Sequence, residues 1–386
     1  MSRVKLKDIS IGITDGKHGD CKEQDNSGYY FVSCKDVYDG VIHYENSRQI
    51  TKDDFIDADR RTNLTPNDIL ITNSGTIGRM ALVKDIPETK NTTFQKSVAI
   101  VKPNPDKVLP VYLYYLLQSK VSDFINSSNG AAQKNLLLST MRDFDLEIED
   151  SLSTQHRIST ILSRYDLLIE NYQKQIKLLE EAAQRLYKEW FVDLRFPSHE
   201  ITNIVDGVPE GWKKMPVDSI YSIKYGKNLS TKLITQEGKY PVYGANGVIG
   251  YYDKTNCNEQ VVLITSRGNG SGDVLMTYHK DAFITNNSFI VMPLEKYSYC
   301  DLPFTYQFLN NANFRAVRTG AAQPQLTNQS IHTVDVVLPS NELISEYCKK
   351  TTQSYKIGLY LRNQIRLLTE ARDRLLPKLM SGEIKL

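Results

Sequence analysis

The 386-residue chain has no Pro-Pro pair and no Cys-x-x-Cys. No apolar run approaches the roughly eighteen residues that a membrane span requires. Its five cysteines are odd in number and widely spaced, which argues against a disulfide framework and for a reducing cytoplasm. Cys21 and Cys34 lie near His18 and His43, but without a close cysteine pair they do not form a zinc motif, and no metal is expected. The opening MSRVKLKDISIGITDG has no apolar core of the signal-peptide type, so no export is expected. Net charge is only +2, far from the basic balance of a chain that grips nucleic acid by bulk charge. By region it is −3 over 1–150, +1 over 151–195, 0 over 196–340 and +4 over 341–386. A nucleic-acid role would need local concentration of charge or partners that share the phosphate contacts.

Catalytic motifs are also missing. An adenine-type amino-methyltransferase needs an Asn/Asp-Pro-Pro-aromatic loop, which the lack of Pro-Pro excludes. Gly268, Gly270 and Gly272 run into Asp273 with the wrong spacing for G-x-G-x-x-G, and Gly226-Lys227-Asn228 is not a Walker A loop. Pro105-Asp106 meets no Glu-x-Lys at nuclease spacing, and no serine and histidine are arranged as a triad. The chain reads as a non-catalytic recognition protein.

What is present is a repeat. GAAQ occurs at 130–133 in NGAAQKNL and at 320–323 in TGAAQPQL. Downstream, Leu136, Met141, Phe144, Leu146 and Ile148 align with Leu326, Ile331, Val334, Val336 and Leu338. The last three of each set alternate as in a half-buried strand. QIKLLEEAAQRL at 175–186 matches QIRLLTEARDRL at 364–375 at most positions. LKDISIGITDGK at 6–17 resembles PVDSIYSIKYGK at 216–227, and DILITNSGTIG at 68–78 resembles VVLITSRGNGSG at 261–272. The order is a mixed α+β domain, a helix, a second such domain and a second helix. The expected boundaries are 1–150, 151–195, 196–340 and 341–386.

The helical segments carry a seven-residue apolar repeat. One row is Ile158, Tyr165, Tyr172, Leu179 and Leu186; the other is Leu162, Ile169, Ile176, Ala183 and Trp190. The second copy keeps Tyr347, Leu361, Leu368 and Leu375, with Ile344, Ile365 and Leu379. Two apolar rows at this spacing predict a coiled-coil seam, either within two separate helices docked on their own domains or between the two helices. The second is preferred, because the repeat supplies a partner of matching length. Thr351, Ser354 and Gly358 interrupt the second seam, and the glycine predicts a bend or a close backbone approach.

Loops rich in Gly, Asn, Tyr and small polar residues supply the candidate binding groups. In the first copy these are Lys17 and His18, Ser33 and Lys35, Thr72, Asn73, Ser74, Thr76 and Arg79, and Gln95 and Lys96. In the second they are Lys227, Tyr243 and Asn246, Ser266, Arg267 and Asn269, and Asn286 and Asn287. Gln133 and Gln323 of the two GAAQ stretches complete the set. Asn and Gln pair bidentately with adenine, and Arg and Lys with guanine. The same loops also read as ordinary hairpin connections, and His18 as a structural histidine.

DGKHGD…GYYFVSCKDV, NDILITNSGTIGR, the GAAQ stretches, QRLYKEWFVDLRFP at 184–197 and the ending RDRLLPKLMSGEIKL together resemble the specificity subunit of type I restriction-modification systems. The likeness covers essentially the whole chain. It implies two target recognition domains, each reading one half of a bipartite, asymmetric site in double-stranded DNA. It further implies that the two helices pair antiparallel and fix the unread spacer. Two methyltransferase subunits would dock on the chain and methylate adenine at N6 with S-adenosylmethionine, and restriction subunits using ATP and Mg would join them. Cofactors would then belong to the partners and none to this chain. Two other readings remain: a coiled-coil scaffold holding two protein-binding domains, and a standalone two-headed DNA-binding regulator.

Overall fold

The computed structural model describes residues 1–130, 134–320 and 323–386. The chain divides into two compact units, Met1–Glu170 with Arg366–Leu386, and Asn171–Ile365. Each unit therefore combines one mixed domain with a piece of both long helices.

In unit 1 the framework strands are β1 (Ser2–Lys5), β2 (Ser10–Asp15), β3 (Tyr30–Val32), β4 (Ile69–Thr72), β5 (Met80–Leu82), β6 (Thr92–Phe94), β7 (Val98–Pro103) and β8 (Asp145–Ile148). The main sheet runs β2-β7-β4-β5 and is antiparallel throughout. Its central strands β4 and β7, ILIT and VAIVKP, are almost wholly buried, as expected of short continuous apolar runs rather than alternating ones. β1 pairs with β8 in the register Ser2↔Ile148 to Lys5↔Asp145, so the domain's two ends close on each other. The alternation read at 145–148 is observed, with Leu146 and Ile148 buried and Asp145 and Glu147 exposed. β3 and β6 add a parallel pair, from Tyr30↔Thr92 to Val32↔Phe94. Helix α1 (Lys52–Thr62) is capped by Thr51, whose hydroxyl accepts the Asp54 N–H, and ends at Asn63 in the left-handed region. Helix α2 (Pro110–Gln118) starts at a proline, where the lost N–H costs nothing.

Unit 2 repeats this plan. Its strands are β9 (Lys213–Pro216), β10 (Tyr221–Tyr225), β11 (Tyr240–Gly244), β12 (Gly247–Tyr252), β13 (Val262–Thr265), β14 (Val274–Met276), β15 (Phe283–Ile284), β16 (Ser288–Pro293) and β17 (Asp335–Leu338). The sheet order β10-β16-β13-β14 matches that of unit 1, β9 pairs with β17 as β1 does with β8, and β11–β15 is the second parallel pair. Helices α3 (Leu152–Tyr187), α4 (Leu302–Asn310) and α5 (Asn341–Met380) complete the set. Asp301 caps the start of α4 at the Phe304 N–H, and, as in α2, a proline stands in the first turn.

The two long helices run antiparallel inside each unit. In unit 1, Ile158 and Leu162 of α3 share a core with Leu379 and Met380 of α5, and Asp166 pairs with Arg372 at 2.6 Å. In unit 2, Glu180 pairs with Arg362 at 2.5 Å, and the Tyr347 hydroxyl donates to the carbonyl of Ala183 at 3.0 Å. As numbers rise along α3 they fall along α5. Ile158, Leu162, Ile169, Ile176, Tyr347 and Leu361 are buried; Tyr165, Tyr172, Leu179, Leu186, Ile365, Leu368 and Leu375 are half-buried. Of the two expectations for Gly358, the close backbone approach is not met: a side chain added there would meet nothing within 4 Å. The glycine instead lines a cavity, and α5 continues through it.

Candidate nucleic-acid interface

The loops singled out in unit 1 come together at one end of its sheet. Lys17, just past β2, forms a parallel bridge with Gln95, and the Lys96 N–H donates to the Lys17 carbonyl at 3.1 Å. The Asn73 N–H donates to the Ser97 carbonyl at 3.0 Å, joining the β4–β5 loop to the turn before β7. The β4–β5 loop closes on itself. Thr72 N–H donates to Arg79 O at 2.8 Å, Gly78 N–H to Thr72 O at 2.9 Å, and Arg79 N–H to Thr72 Oγ1 at 2.9 Å. Gly78 adopts φ +87°, which the return of this loop requires. Asp36 holds the Ser33 turn through both the N–H and the hydroxyl of Ser33, each at 2.8 Å.

Unit 2 builds the same cluster from different side chains. Lys227 bridges Thr285, and the Asn286 N–H donates to Lys227 O at 3.0 Å. Ser266 N–H donates to Asn287 O at 2.8 Å. Thr265 N–H donates to Asp273 O and Gly272 N–H to Thr265 O, both at 2.8 Å, with Gly272 at φ +90°. The Thr265 hydroxyl reaches back to Ala245 O at 2.8 Å, which brings the Asn246 turn alongside.

The segments around GAAQ dock on these loops. Asn129 and Asn135 exchange backbone hydrogen bonds, as do Thr319 and Gln325. Asn135 then bridges Ser74, and Gln325 bridges Arg267. Gln323 is exposed beside this contact. Gln133 lies outside the described residues. Sequence reading missed Asn135 and Gln325, although each lies two positions after the repeated GAAQ. It also missed Arg318, whose guanidinium donates to the Asn269 carbonyl at 3.4 Å.

Placement separates the candidates into two kinds. Thr72, Asn73, Tyr243 and Ser266 are buried, contrary to their selection as groups presented to a ligand. Thr72 and Ser266 spend their hydroxyls on the loop backbone, at Thr76 O and Asn286 O. Tyr243 is only 3% exposed, and its hydroxyl meets His279 Nδ1 at 2.9 Å and the Tyr278 N–H at 3.1 Å. It offers no aromatic face to solvent. Lys17 is drawn sideways to Asp57 at 2.9 Å, and these partners raise its pKa. His18 meets Asp15 at 3.1 Å, while Ser74, Gln95, Asn286 and Asn287 are half-buried. Lys35, Thr76, Arg79, Lys96, Lys227, Asn246, Arg267 and Asn269 are exposed.

Charge follows the same division. In unit 1 three cations are paired near the loops: Lys17 with Asp57, Arg61 with Asp15 at 2.6 Å, and Arg48 with Asp20 at 2.6 Å. Among the described residues Lys35, Arg79, Lys96, Lys227 and Arg267 make no ion pair, so their charge is available to a ligand. Also among the described residues, no group of three or more His, Cys, Asp or Glu could hold a metal ion. No described helix is long and apolar enough to cross a membrane.

Residues 2–181 and 209–356 match the family described as type I restriction modification DNA specificity domain. The specificity subunit of the type I restriction enzyme MjaIX from Methanocaldococcus jannaschii is 27% identical over 346 residues, 82% of this chain and 77% of that protein. A putative type I specificity subunit from Mycoplasma pneumoniae is 25% identical over 218 residues, 55% of this chain and 56% of its own length. The crystal structure of a type I restriction-modification S subunit from M. genitalium superposes with a TM-score of 0.55 at 18% identity, covering 98% of this chain and 95% of that one. That likeness concerns the fold.

Proposed function

The chain belongs to the family of type I restriction-modification DNA specificity subunits, and from that premise we propose how its two loop clusters divide the reading of DNA. The chain is the sequence-recognition component of its complex. Each unit reads one half of a bipartite site in double-stranded DNA. The observation that carries this is the repetition of one cluster on one framework with different side chains. Lys17–Gln95 recurs as Lys227–Thr285, and Ser74–Asn135 as Arg267–Gln325. A shared frame with changed loop chemistry suits two half-sites of different sequence.

Base reading falls to exposed groups on fixed backbone. Arg79 and Arg267 suit guanine, while Asn246, Asn269 and Gln323 suit adenine. Few cations are free for phosphate, so affinity depends on partners that add charge. The antiparallel helices set the length of the unread spacer.

Those partners are two methyltransferase subunits, which methylate adenine at N6 with S-adenosylmethionine; restriction subunits using ATP and Mg join them. The complex works in the cytoplasm. An exposed stripe supports a pair of equivalent docking sites. Leu178, Ala182 and Arg185 in unit 2 correspond to Leu367, Ala371 and Arg374 in unit 1, identical and on one helical face. Leu178 is 64% exposed and Leu367 42%. Apolar side chains kept in both copies yet left in solvent fit a protein contact made twice.

The test is methylation-sensitive sequencing of DNA from cells expressing this chain with its modification subunit. Two different half-sites separated by a constant gap are expected. A continuous palindromic site, or no methylation dependent on this chain, overturns the reading.

A further inference from the structure

Unit 2 holds a cavity of about 300 Å³ between the pieces of α3, α4 and α5 that it contains. Its origin lies in the repeat. Alignment of α3 with α5 through Gln175/Gln364 and Ile176/Ile365 places Leu162 opposite Thr351, Tyr165 opposite Ser354, Ile169 opposite Gly358, and Arg372 opposite Ala183. In unit 1 the larger residues fill this region: Leu162 and Ile169 are buried, and Arg372 pairs with Asp166, which also accepts the Tyr115 hydroxyl at 2.5 Å. In unit 2 all four positions carry smaller side chains, and all four line the cavity.

Such a space is costly as a mere packing defect. A glycine inside a helix is destabilising, and a cleft of this size forgoes the packing that the larger first-copy side chains make in unit 1. Nor does backbone packing require the glycine, since a Cβ at 358 meets nothing within 4 Å. The lining is also chemically specific. Tyr278, Tyr306 and Tyr355 supply aromatic surface, and Met276, Ile176 and Leu179 supply apolar surface. The Tyr355 hydroxyl is buried without a hydrogen-bond partner. Gln307, 7% exposed, has no side-chain hydrogen bond among the described residues. At the wall, the Arg362 guanidinium lies 3.8 Å from the Tyr278 ring centroid and pairs with Glu180 at 2.5 Å. That pairing neutralises Arg362, Glu181 of the lining pairs with Arg185, and the lining's Lys177 is exposed to solvent, so the charged groups offer no buried partner to an ionic guest. Burial pushes the Tyr278 hydroxyl up to about 12 and raises that of Tyr355 as well, so both remain donors at neutral pH.

We propose that this cavity is a binding site for an uncharged, planar heteroaromatic molecule of one or two fused rings, held between tyrosine rings with its polar edge on Tyr355 and Gln307. Apolar walls with a few convergent polar groups are the usual form of a small-ligand pocket. The site is peculiar to the second copy, and it is separate from the loops assigned to DNA.

The full-length chain is titrated with adenine, benzimidazole and quinazoline, and binding is followed by saturation-transfer NMR. At least one probe binds saturably. Transplanting first-copy residues by Thr351→Leu, Ser354→Tyr and Gly358→Ile weakens that binding about tenfold or more. Should this triple variant fail to fold, Tyr355→Phe, which leaves the packing intact, gives a weakening of several-fold. No saturable binding by any probe overturns the proposal. So does a filled or Tyr355→Phe variant that binds as the parent does. An aromatic side chain of a partner protein seated in the cavity of the assembled complex also overturns it.

Discussion

Leu326 donates its backbone N–H to the carbonyl of Ser266 at 2.8 Å, and Leu136 donates to Asn73 at the same distance. Both leucines are 1% exposed. Each pins the segment after GAAQ against the loop whose tip carries the candidate base contacts. Arg267 is therefore presented from a backbone held on both sides, by Ser266 just past the end of β13 and by Gln325 across the bridge. Arg267→Ala is expected to weaken binding to the cognate site by about 1–3 kcal/mol if the residue is bidentate to guanine. Titration against the cognate site and a set of single-base variants checks this. The loss should be confined to discrimination at one position. A loss equal on every sequence makes Arg267 a phosphate contact, and no loss makes it structural.

The Asp166–Arg372 pair ties the two helices together inside unit 1. Arg372→Ala leaves Asp166 half-buried with the Tyr115 hydroxyl as its remaining strong partner. A charge-assisted hydrogen bond of this kind contributes roughly 1.5–3 kcal/mol, reduced here by partial exposure to about 1–2 kcal/mol. Urea denaturation measures it. The Asp166→Ala/Arg372→Ala double variant should cost less than the sum of the single variants, and strict additivity would show that the pair is not coupled.

Acid should loosen α1 before neutral pH does anything to it. Asp54 accepts the Lys22 N–H at 2.9 Å and the Thr51 hydroxyl at 3.0 Å. These bonds, that from Lys22 first, hold its carboxyl below the usual carboxylate range near 3.8. A folded pKa below the unfolded one adds stability that is fully present above the unfolded value and lost as pH falls through the folded one. The stability difference between the parent and Asp54→Asn should thus be constant from neutral pH to about 5 and shrink below about 4. A difference that grows toward acid would reverse the assignment.

Leu178→Glu and Leu367→Glu test the exposed stripes. Each places a charge in an apolar contact, and each should lower co-purification of the modification subunit about tenfold. Neither should shift stability of the isolated chain by more than about 0.5 kcal/mol, because both side chains already face solvent. Unchanged co-purification in the double variant would place docking elsewhere.

Much of this architecture is legible in the chain because it is written twice. The period-two pattern at 145–148 and 335–338 and the heptad rows report burial directly, since a buried face demands apolar side chains at its own spacing. The loops are less transparent. Thr72 and Ser266 look like exposed polar loop residues, yet each sits at a strand end where a hydroxyl must satisfy backbone groups. Tyr243 looks like a surface aromatic, but it lies in a strand whose parallel partner pairs it with Ile284, 41 residues downstream. No local pattern announces that pairing. Gly358 reads in the sequence as a bend or a close backbone approach, because glycine weakens a helix and permits close contact. Only the three-dimensional arrangement, in which Thr351 and Ser354 on the same helix and Ala183 on α3 are also small, shows that the space is left open.

The last prediction concerns the spacer. If the paired helices are its ruler, their length must set the gap between half-sites. One heptad adds about 10 Å at 1.5 Å per residue, or about three base pairs at 3.4 Å each. Three base pairs also turn one half-site by about 100°, and a coiled coil supplies little of that rotation. Four residues add about 6 Å, less than two base pairs, and a local stutter absorbs the shift in seam. Insertion of four residues in both helices, between Tyr172 and Leu179 and between Leu361 and Leu368, should therefore lengthen the recognised spacer by about one or two base pairs. Both half-site sequences should stay the same, because the loop clusters are anchored to their own sheets by bonds such as Leu136 to Asn73 and Leu326 to Ser266. Sequencing of methylated sites in cells carrying the insertion reads both quantities. An active variant with an unaltered spacer would show that the helices are not the ruler.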